Sequence, residues 1–298
     1  MRSRAGRVAA RLAVAGAGAL LARAALEAIR RSPRADELER TNFRGHTVSL
    51  AAGPALAVAA SVAAGAGAAI EGRAGLAASS VVAGLGAGAV GLYDDVVGAR
   101  PDQRTAKGFR GHLAALRDGR VTSGLVKVAG VGLASLVASA LLPSRRAGEP
   151  ATALGRRPRG PLGRAADVAL GAGVIAGTAN LVNLLDLRPG RAVKAGLLVA
   201  VPLVASPVGA AVTGPVGASA AVLPDDLGER VMLGDSGANA LGALLGVALA
   251  ARSGLVGRAV LLAALAGLTA ASEKVSFTKV IEATPGLREF DQLGRHHS

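Results

Sequence analysis

The chain contains no cysteine and no tryptophan, and its aromatic residues amount to four phenylalanines and one tyrosine among 298 positions. Without cysteine there is no disulfide, no thiolate nucleophile and no sulfur ligand, so any metal must sit on oxygen or imidazole. Charge is scarce as well: 18% of residues are Asp, Glu, Lys or Arg. These are clustered, and the apolar runs between them, about 15 to 25 residues, are long enough to cross a ~30 Å hydrocarbon layer. The 42 glycines keep no period of three, which excludes collagen. What is abundant is apolar: 51% of the chain is hydrophobic before glycine is counted. That composition excludes a soluble enzyme, a disordered chain and a disulfide scaffold.

A net charge of +14 would suggest nucleic acid in a soluble protein. Here the arginines fall mostly in short segments between apolar runs, where they meet lipid headgroups and phosphate, so membrane lipids and no nucleic acid are the expected partners. The sequence predicts one all-α integral-membrane domain over 1–298, a polytopic protein of nine transmembrane helices. They are placed at about 7–29, 47–70, 75–97, 122–142, 165–187, 191–205, 207–223, 236–251 and 255–271. Arg2, Arg4 and Arg7 before an apolar stretch imitate a signal peptide, but Arg11, Arg23 and Glu27 interrupt it, and it reads as an uncleaved first helix. Pro202, Pro207 and Pro215 break the sixth and seventh stretches, which could instead form one kinked helix plus a re-entrant piece. Spacings such as Gly84/Gly88, Gly173/Gly177 and Gly242/Gly246 predict close helix packing in lipid.

With the amino terminus outside, the inner segments are about 30–46, 98–121, 187–194, 224–235 and the tail 272–298, holding 19 of the 34 Lys and Arg. That is a weak positive-inside bias. The acids are more one-sided: all but Glu71, Glu149 and Asp167 fall on the inner side or at inner helix ends, as do all five aromatics. Anchoring aromatics belong at both interfaces, so a one-sided set marks the inner face as the working one.

Three stretches at that face carry chemistry. The third helix ends Tyr93-Asp94-Asp95, adjacent carboxylates that repel one another and are costly in lipid unless a cation sits beside them or the helix end is solvated. Among cations, Mg²⁺ suits carboxylate plus phosphate. The fifth helix ends with Asn180, Asn183 and Asp186, whose steps of three place them on one flank. They line either a polar cavity or a helix-to-helix hydrogen-bonding seam. The eighth helix opens with Gly234-Asp235-Ser236-Gly237, whose free backbone N–H groups suit a phosphate and whose Asp235 suits a metal, unless the aspartate is only a cap. Lys127, alone in the fourth helix, either snorkels to headgroups or neutralises a phosphate. The tetrapeptide Phe43-Arg44-Gly45-His46 recurs as Phe109-Arg110-Gly111-His112, an arginine fork for phosphate beside a ring that could stack on a base.

In their order, Asn42-Phe43-Arg44-Gly45, Asp94-Asp95, Lys127, Asn180-Leu181-Val182-Asn183-Leu184-Leu185-Asp186 and Leu233-Gly234-Asp235-Ser236-Gly237 resemble the motifs of the polyprenyl-phosphate N-acetylhexosamine-1-phosphate transferase family. The match runs over roughly 40–250. The resemblance implies an inner-membrane, Mg²⁺-dependent enzyme with a cytoplasmic site. It would move a sugar 1-phosphate from a UDP-sugar to a polyprenyl (undecaprenyl or decaprenyl) phosphate, releasing UMP, in wall or surface-glycan synthesis. By the same resemblance Asp94 acts as base or nucleophile at the lipid phosphate, Asp95 and Asp235 hold Mg²⁺, and Asn183 and Asp186 line the nucleotide site. Lys127 faces a phosphate. Asn42, Arg44, Asn180, Arg110 and His112 are the remaining candidate substrate contacts read from the sequence. A homodimer is compatible with this picture. The sequence departs from the family where a lysine commonly follows the aspartate pair (here Val96-Val97-Gly98-Ala99-Arg100), where Arg188-Pro189-Gly190 follows Asp186, and in having no histidine-rich loop before the last helix. Two other functions fit parts of the pattern: a silent relative that binds polyprenyl phosphate or a partner as a scaffold, and a transporter using intramembrane carboxylates for ion coupling.

Overall fold

A computed structural model of the chain describes residues 3–100, 117, 119, 121–143 and 160–295. Among these, a helix occupies each of the nine expected stretches: α1 (Arg4–Arg30), α2 (Ala52–Ile70), α3 (Ala74–Val97), α4 (Ser123–Leu141), α5 (Gly160–Leu185), α6 (Arg191–Val204), α7 (Gly209–Leu227), α8 (Gly234–Arg252) and α9 (Leu255–Ser272). Six of them, α1 to α5 and α9, are long and apolar enough to cross a membrane. Their starts follow local chemistry. The Ser3 hydroxyl accepts the Gly6 N–H at 3.1 Å to cap α1, and Thr122 accepts the Leu125 N–H at 3.3 Å to cap α4. The proline-broken region resolves into two helices, α6 carrying Pro202 and α7 carrying Pro215 and Pro224, separated by a turn at 205–208.

Several expected loops are ordered structure. Residues 30–46 were expected as a loop and a helix from 47; instead a 3-10 turn (Ala35–Leu38) leads into an antiparallel hairpin, β1 (Glu39–Thr41) and β2 (Thr47–Ser49), with Arg40 opposite Val48. The apolar run begins only at Leu50, and the alternating Thr47-Val48-Ser49 before it suits a strand. The expected tail 272–298 holds two short helices, α10 (Phe277–Ala283) and α11 (Leu287–Gln292).

α8 is the central helix, packed against α2, α3 and α5, with almost every residue buried. The small-residue spacings explain how. A Cβ on Gly242 would lie 2.5 Å from the Thr178 carbonyl oxygen, and one on Gly246 would lie 2.6 Å from Ile175 Cα. The backbones of α5 and α8 therefore touch, as helices do in lipid when small residues face one another. α1 packs on α2 and α7, and α9 on α5. The outward surfaces of α1, α4 and α9 are apolar, with Leu12, Leu20, Leu133 and Val260 exposed, a surface that suits hydrocarbon better than water.

Long-range polar contacts divide the bundle into two ends. At one end Arg11 grips Glu71 (2.9 Å) and donates to the Val204 carbonyl (2.6 Å), while Arg258 pairs with Asp167 (2.9 Å) and donates to the Ala250 carbonyl (3.0 Å). At the other end lie the hairpin, α10, α11 and the ends of α3, α5 and α7, together with the starts of α4, α6 and α8.

Candidate functional site

The last turn of α3 presents its two aspartates in different directions. Asp95 reaches the start of α8, where its oxygens accept the backbone N–H groups of Asp235 (3.0 Å) and Ser236 (2.9 Å). No side chain of α8 caps that helix, so a carboxylate from another helix does so. Gly234 makes this contact feasible: its φ is +58°, and a Cβ there would meet the Asp95 carboxylate at 2.9 Å. The Ser236 hydroxyl donates to the Gly88 carbonyl at 2.9 Å, tying the same turn to α3.

Asp94 turns the other way, toward Lys127 at the start of α4. The Lys127 ammonium lies 2.8 Å from the Asp94 carboxylate and 2.6 Å from that of Asp235. Asp235 also accepts the Asn183 amide, at 2.5 Å. Four of the residues singled out in the sequence thus meet at one point, on four different helices. The cation shared by Asp94 and Asp235 is Lys127, which half-buried between them offsets their mutual repulsion.

Asp186 lies just beyond α5 and is buried. Burial pushes its carboxyl well above the ordinary carboxylate range, and neighbouring Asp226 pushes the same way. The N–H groups of residues 235 and 236 are both taken by Asp95. This corrects the expectation that the Gly-Asp-Ser-Gly turn offers them to a phosphate: a carboxylate of the chain itself already takes them.

Asn180, expected on the same flank, donates instead to the Thr269 hydroxyl of α9 at 3.1 Å, outside the cluster. One helical step of three leaves a residue 60° from its predecessor, so two steps carry Asn180 away from Asp186. Asn42 and Arg44 do not reach the aspartates either. The Asn42 amide donates to Glu229 at 2.6 Å, and Arg44 lies 3.1 Å from the same carboxylate. Arg110 and His112 lie outside the described residues.

Beside the cluster is a small, solvent-open cleft between the hairpin and the turns after α5 and α7. Val48, Leu187, Val231 and Met232 give it apolar walls, Asp186 and Asp226 lie in its lining, and Phe43 stands at its edge with the Arg188 guanidinium 4.2 Å from its ring centre. The Asp226 Oδ2 atom is buried without a hydrogen-bond partner. Neither Asp226 nor Glu229 was singled out in the sequence. Asp225-Asp226 repeats the Asp94-Asp95 signal, a carboxylate pair closing an apolar helix, and could have been found by it.

The donor set can be tested against a hard divalent cation. Mg²⁺ typically takes one or two carboxylates and completes its shell with water and substrate phosphate. Asp94 and Asp235, adjacent and partly accessible, supply that number of carboxylates, whereas both Asp95 oxygens are committed to α8. Among the described residues no group of three or more His, Asp or Glu is arranged to hold an ion by itself. The arrangement can thus hold a metal only together with a ligand's own oxygens. The chain matches no family model and no curated protein.

Proposed function

We propose that this chain is a membrane phosphoglycosyltransferase that transfers a sugar 1-phosphate from a UDP-sugar to a polyprenyl phosphate and releases UMP. One observation carries the reading: Asp94, Lys127, Asn183 and Asp235 converge from four helices at one end of an apolar bundle, beside a cleft. Phosphoryl transfer asks for charge neutralisation and in-line positioning more than for covalent chemistry, and an acceptor with a polyprenyl tail is reached from within a membrane.

In this reading Asp94 keeps the acceptor's attacking phosphate oxygen deprotonated. That oxygen bonds to the sugar-bearing phosphorus while the bond from this phosphorus to the UMP oxygen breaks, and UMP leaves with the electron pair. Lys127 answers the negative charge on the transferring phosphoryl group, and Asn183 holds Asp235 in place. Asp235, with Asp94 beside it, would hold Mg²⁺, which supplies Lewis-acid neutralisation of the diphosphate when bound. Asp95 serves by fixing the start of α8. Asp186 lies toward the nucleotide, in the cleft lined by Phe43 and Arg188. Purified protein given Mg²⁺, undecaprenyl or decaprenyl phosphate and a panel of UDP-sugars is expected to release UMP; no release from any donor overturns the reading.

The finer topology belongs to the same proposal. Nine crossings, with the amino terminus outside, put the aspartate end at the cytoplasmic face of the cell membrane. Because the chain has no cysteine, Arg100→Cys and Arg252→Cys each introduce a single thiol, and an impermeant maleimide is expected to label Arg252→Cys from outside and Arg100→Cys only after permeabilisation. Labelling of both from one side refutes nine crossings.

A second reading, a silent relative that binds polyprenyl phosphate as a scaffold, draws on the filled start of α8: its N–H groups and its two flanking carboxylates already have partners within the chain. It requires lipid-phosphate binding without UMP release and little loss of cellular function in Asp94→Asn.

A further inference from the structure

Glu229 is the only non-glycine residue at positive φ (+53°) among the described residues. The left-handed region is disfavoured for a residue with a Cβ, so an outlier of this kind persists only where its surroundings fix it. Two sets of contacts do so. The turn is pinned by the Glu229 N–H to Asp226 O (3.1 Å) and the Arg230 N–H to Asp225 O (3.0 Å). The side chain, nearly buried, gathers the hairpin turn: its carboxylate takes the Asn42 amide at 2.6 Å and Arg44 at 3.1 Å, and His46 Nδ1 stands 3.7 Å away.

Those three residues surround Phe43. The hairpin's base is held by backbone bonds, Leu50 N–H to Leu38 O (2.8 Å) and Met232 N–H to Ser49 O (2.9 Å). Its tip is tied through Glu229 and through the stacking of Phe43 against Arg188, 4.2 Å from ring centre to guanidinium carbon. Arg188 belongs to the opposite wall, so Phe43 spans the edge of the cleft. Deeper in, Asp226 lines the cleft, with its Oδ2 atom buried and unpartnered.

We propose that Glu229 is a positioning residue that latches the hairpin tip, holding Phe43 as a lid across the cleft and so setting its affinity for a uridine nucleotide. The nucleotide part rests on the function proposed above; the latch does not. Glu229 acts through Asn42 and Arg44, which makes these two residues, expected as direct substrate contacts, the hinge pins of the lid.

The absence of tryptophan provides the test, since Phe43→Trp introduces a single fluorophore at the lid. Full-length Phe43→Trp in nanodiscs is compared with the same protein carrying Glu229→Gln, which keeps size and loses charge, or Glu229→Gly, which suits the backbone and removes the latch. Both are expected to shift the emission to the red and to increase acrylamide quenching, with thermal melting reporting that each is folded. If release leaves the lid closed about a tenth of the time, the apparent Kd for UMP rises about tenfold. Equal shielding of the tryptophan in all three proteins overturns the latch, whatever the nucleotide does. Increased quenching with an unchanged Kd for UMP overturns the positioning role. No UMP binding in the parent, with quenching still raised by the Glu229 variants, overturns the nucleotide assignment of the cleft and leaves the latch standing.

Discussion

On the proposed function, Asp235→Asn is expected to lower UMP release by about 10²- to 10³-fold or more, the cost of removing one preorganised electrostatic group from a reacting site. The substitution keeps the size of the side chain and leaves Asn183 and Lys127 in place, but it removes the negative charge that both address. Folding is expected to survive. Asp95 and Asp94 both lie near Asp235, so the change relieves like-charge repulsion even as it loses the ion pair with Lys127, and Lys127 retains Asp94 at 2.8 Å. A melting temperature close to that of the parent, together with lost turnover, separates a chemical role from a structural one. Turnover within tenfold of the parent would place the chemistry elsewhere.

The largest effect on stability is expected at the carboxyl end. Asp291 of α11 is buried and takes Arg191 through both oxygens, at 2.8 and 2.9 Å, and Arg295 at 2.7 Å. Arg191 also donates to the Thr278 hydroxyl of α10 at 2.8 Å, and Lys194 donates to the carbonyls of Phe290, Asp291 and Leu293. Asp291→Ala leaves buried Arg191 without its counter-charge, and breaking a buried pair in this way costs about 3–5 kcal/mol. The loss is expected first as local release of 277–295, read by tryptic cleavage at Lys279 and Arg288 in folded protein. An intact segment under trypsin would mean that the clasp contributes little. Acid should act in the same direction. Burial opposes the Asp291 charge, but Arg191 and Arg295 hold its carboxyl below the ordinary carboxylate range. A depressed carboxylate stabilises at pH above its unfolded value of about 3.9, and that stabilisation is lost as pH falls through the folded value. Cleavage of the parent by an acid-active protease should therefore begin only below about pH 4.

The helices could be read from the sequence because apolar run length alone marks them, and each of the nine stretches is helical. The meeting of Asp94, Lys127, Asn183 and Asp235 was legible only in part. Their shared end of the bundle follows from where each lies along its helix, but which partner each carboxylate takes is decided by packing. Asp94 and Asp95 are neighbours with identical chemistry, and the roughly 100° turn between successive helical residues sends one to an ammonium and the other to backbone N–H groups. Contacts between distant segments left no trace. Arg191 and Asp291 are a hundred positions apart and share no spacing, Glu229 sits in an ordinary charged loop, and the strand Thr47–Ser49 merges by composition with the apolar run that follows it.

The arginines at the far end of the bundle bear on how the molecule can move. Arg11 joins α1, α2 and the end of α6, and Arg258 joins α9, α5 and the end of α8, each gripping an acid and a terminal carbonyl at once. Each arginine thus acts as a rivet through three helices, one through α1, α2 and α6 and the other through α5, α8 and α9. Spreading either trio at that end would have to break an ion pair and uncover a helix-terminal carbonyl at the same time.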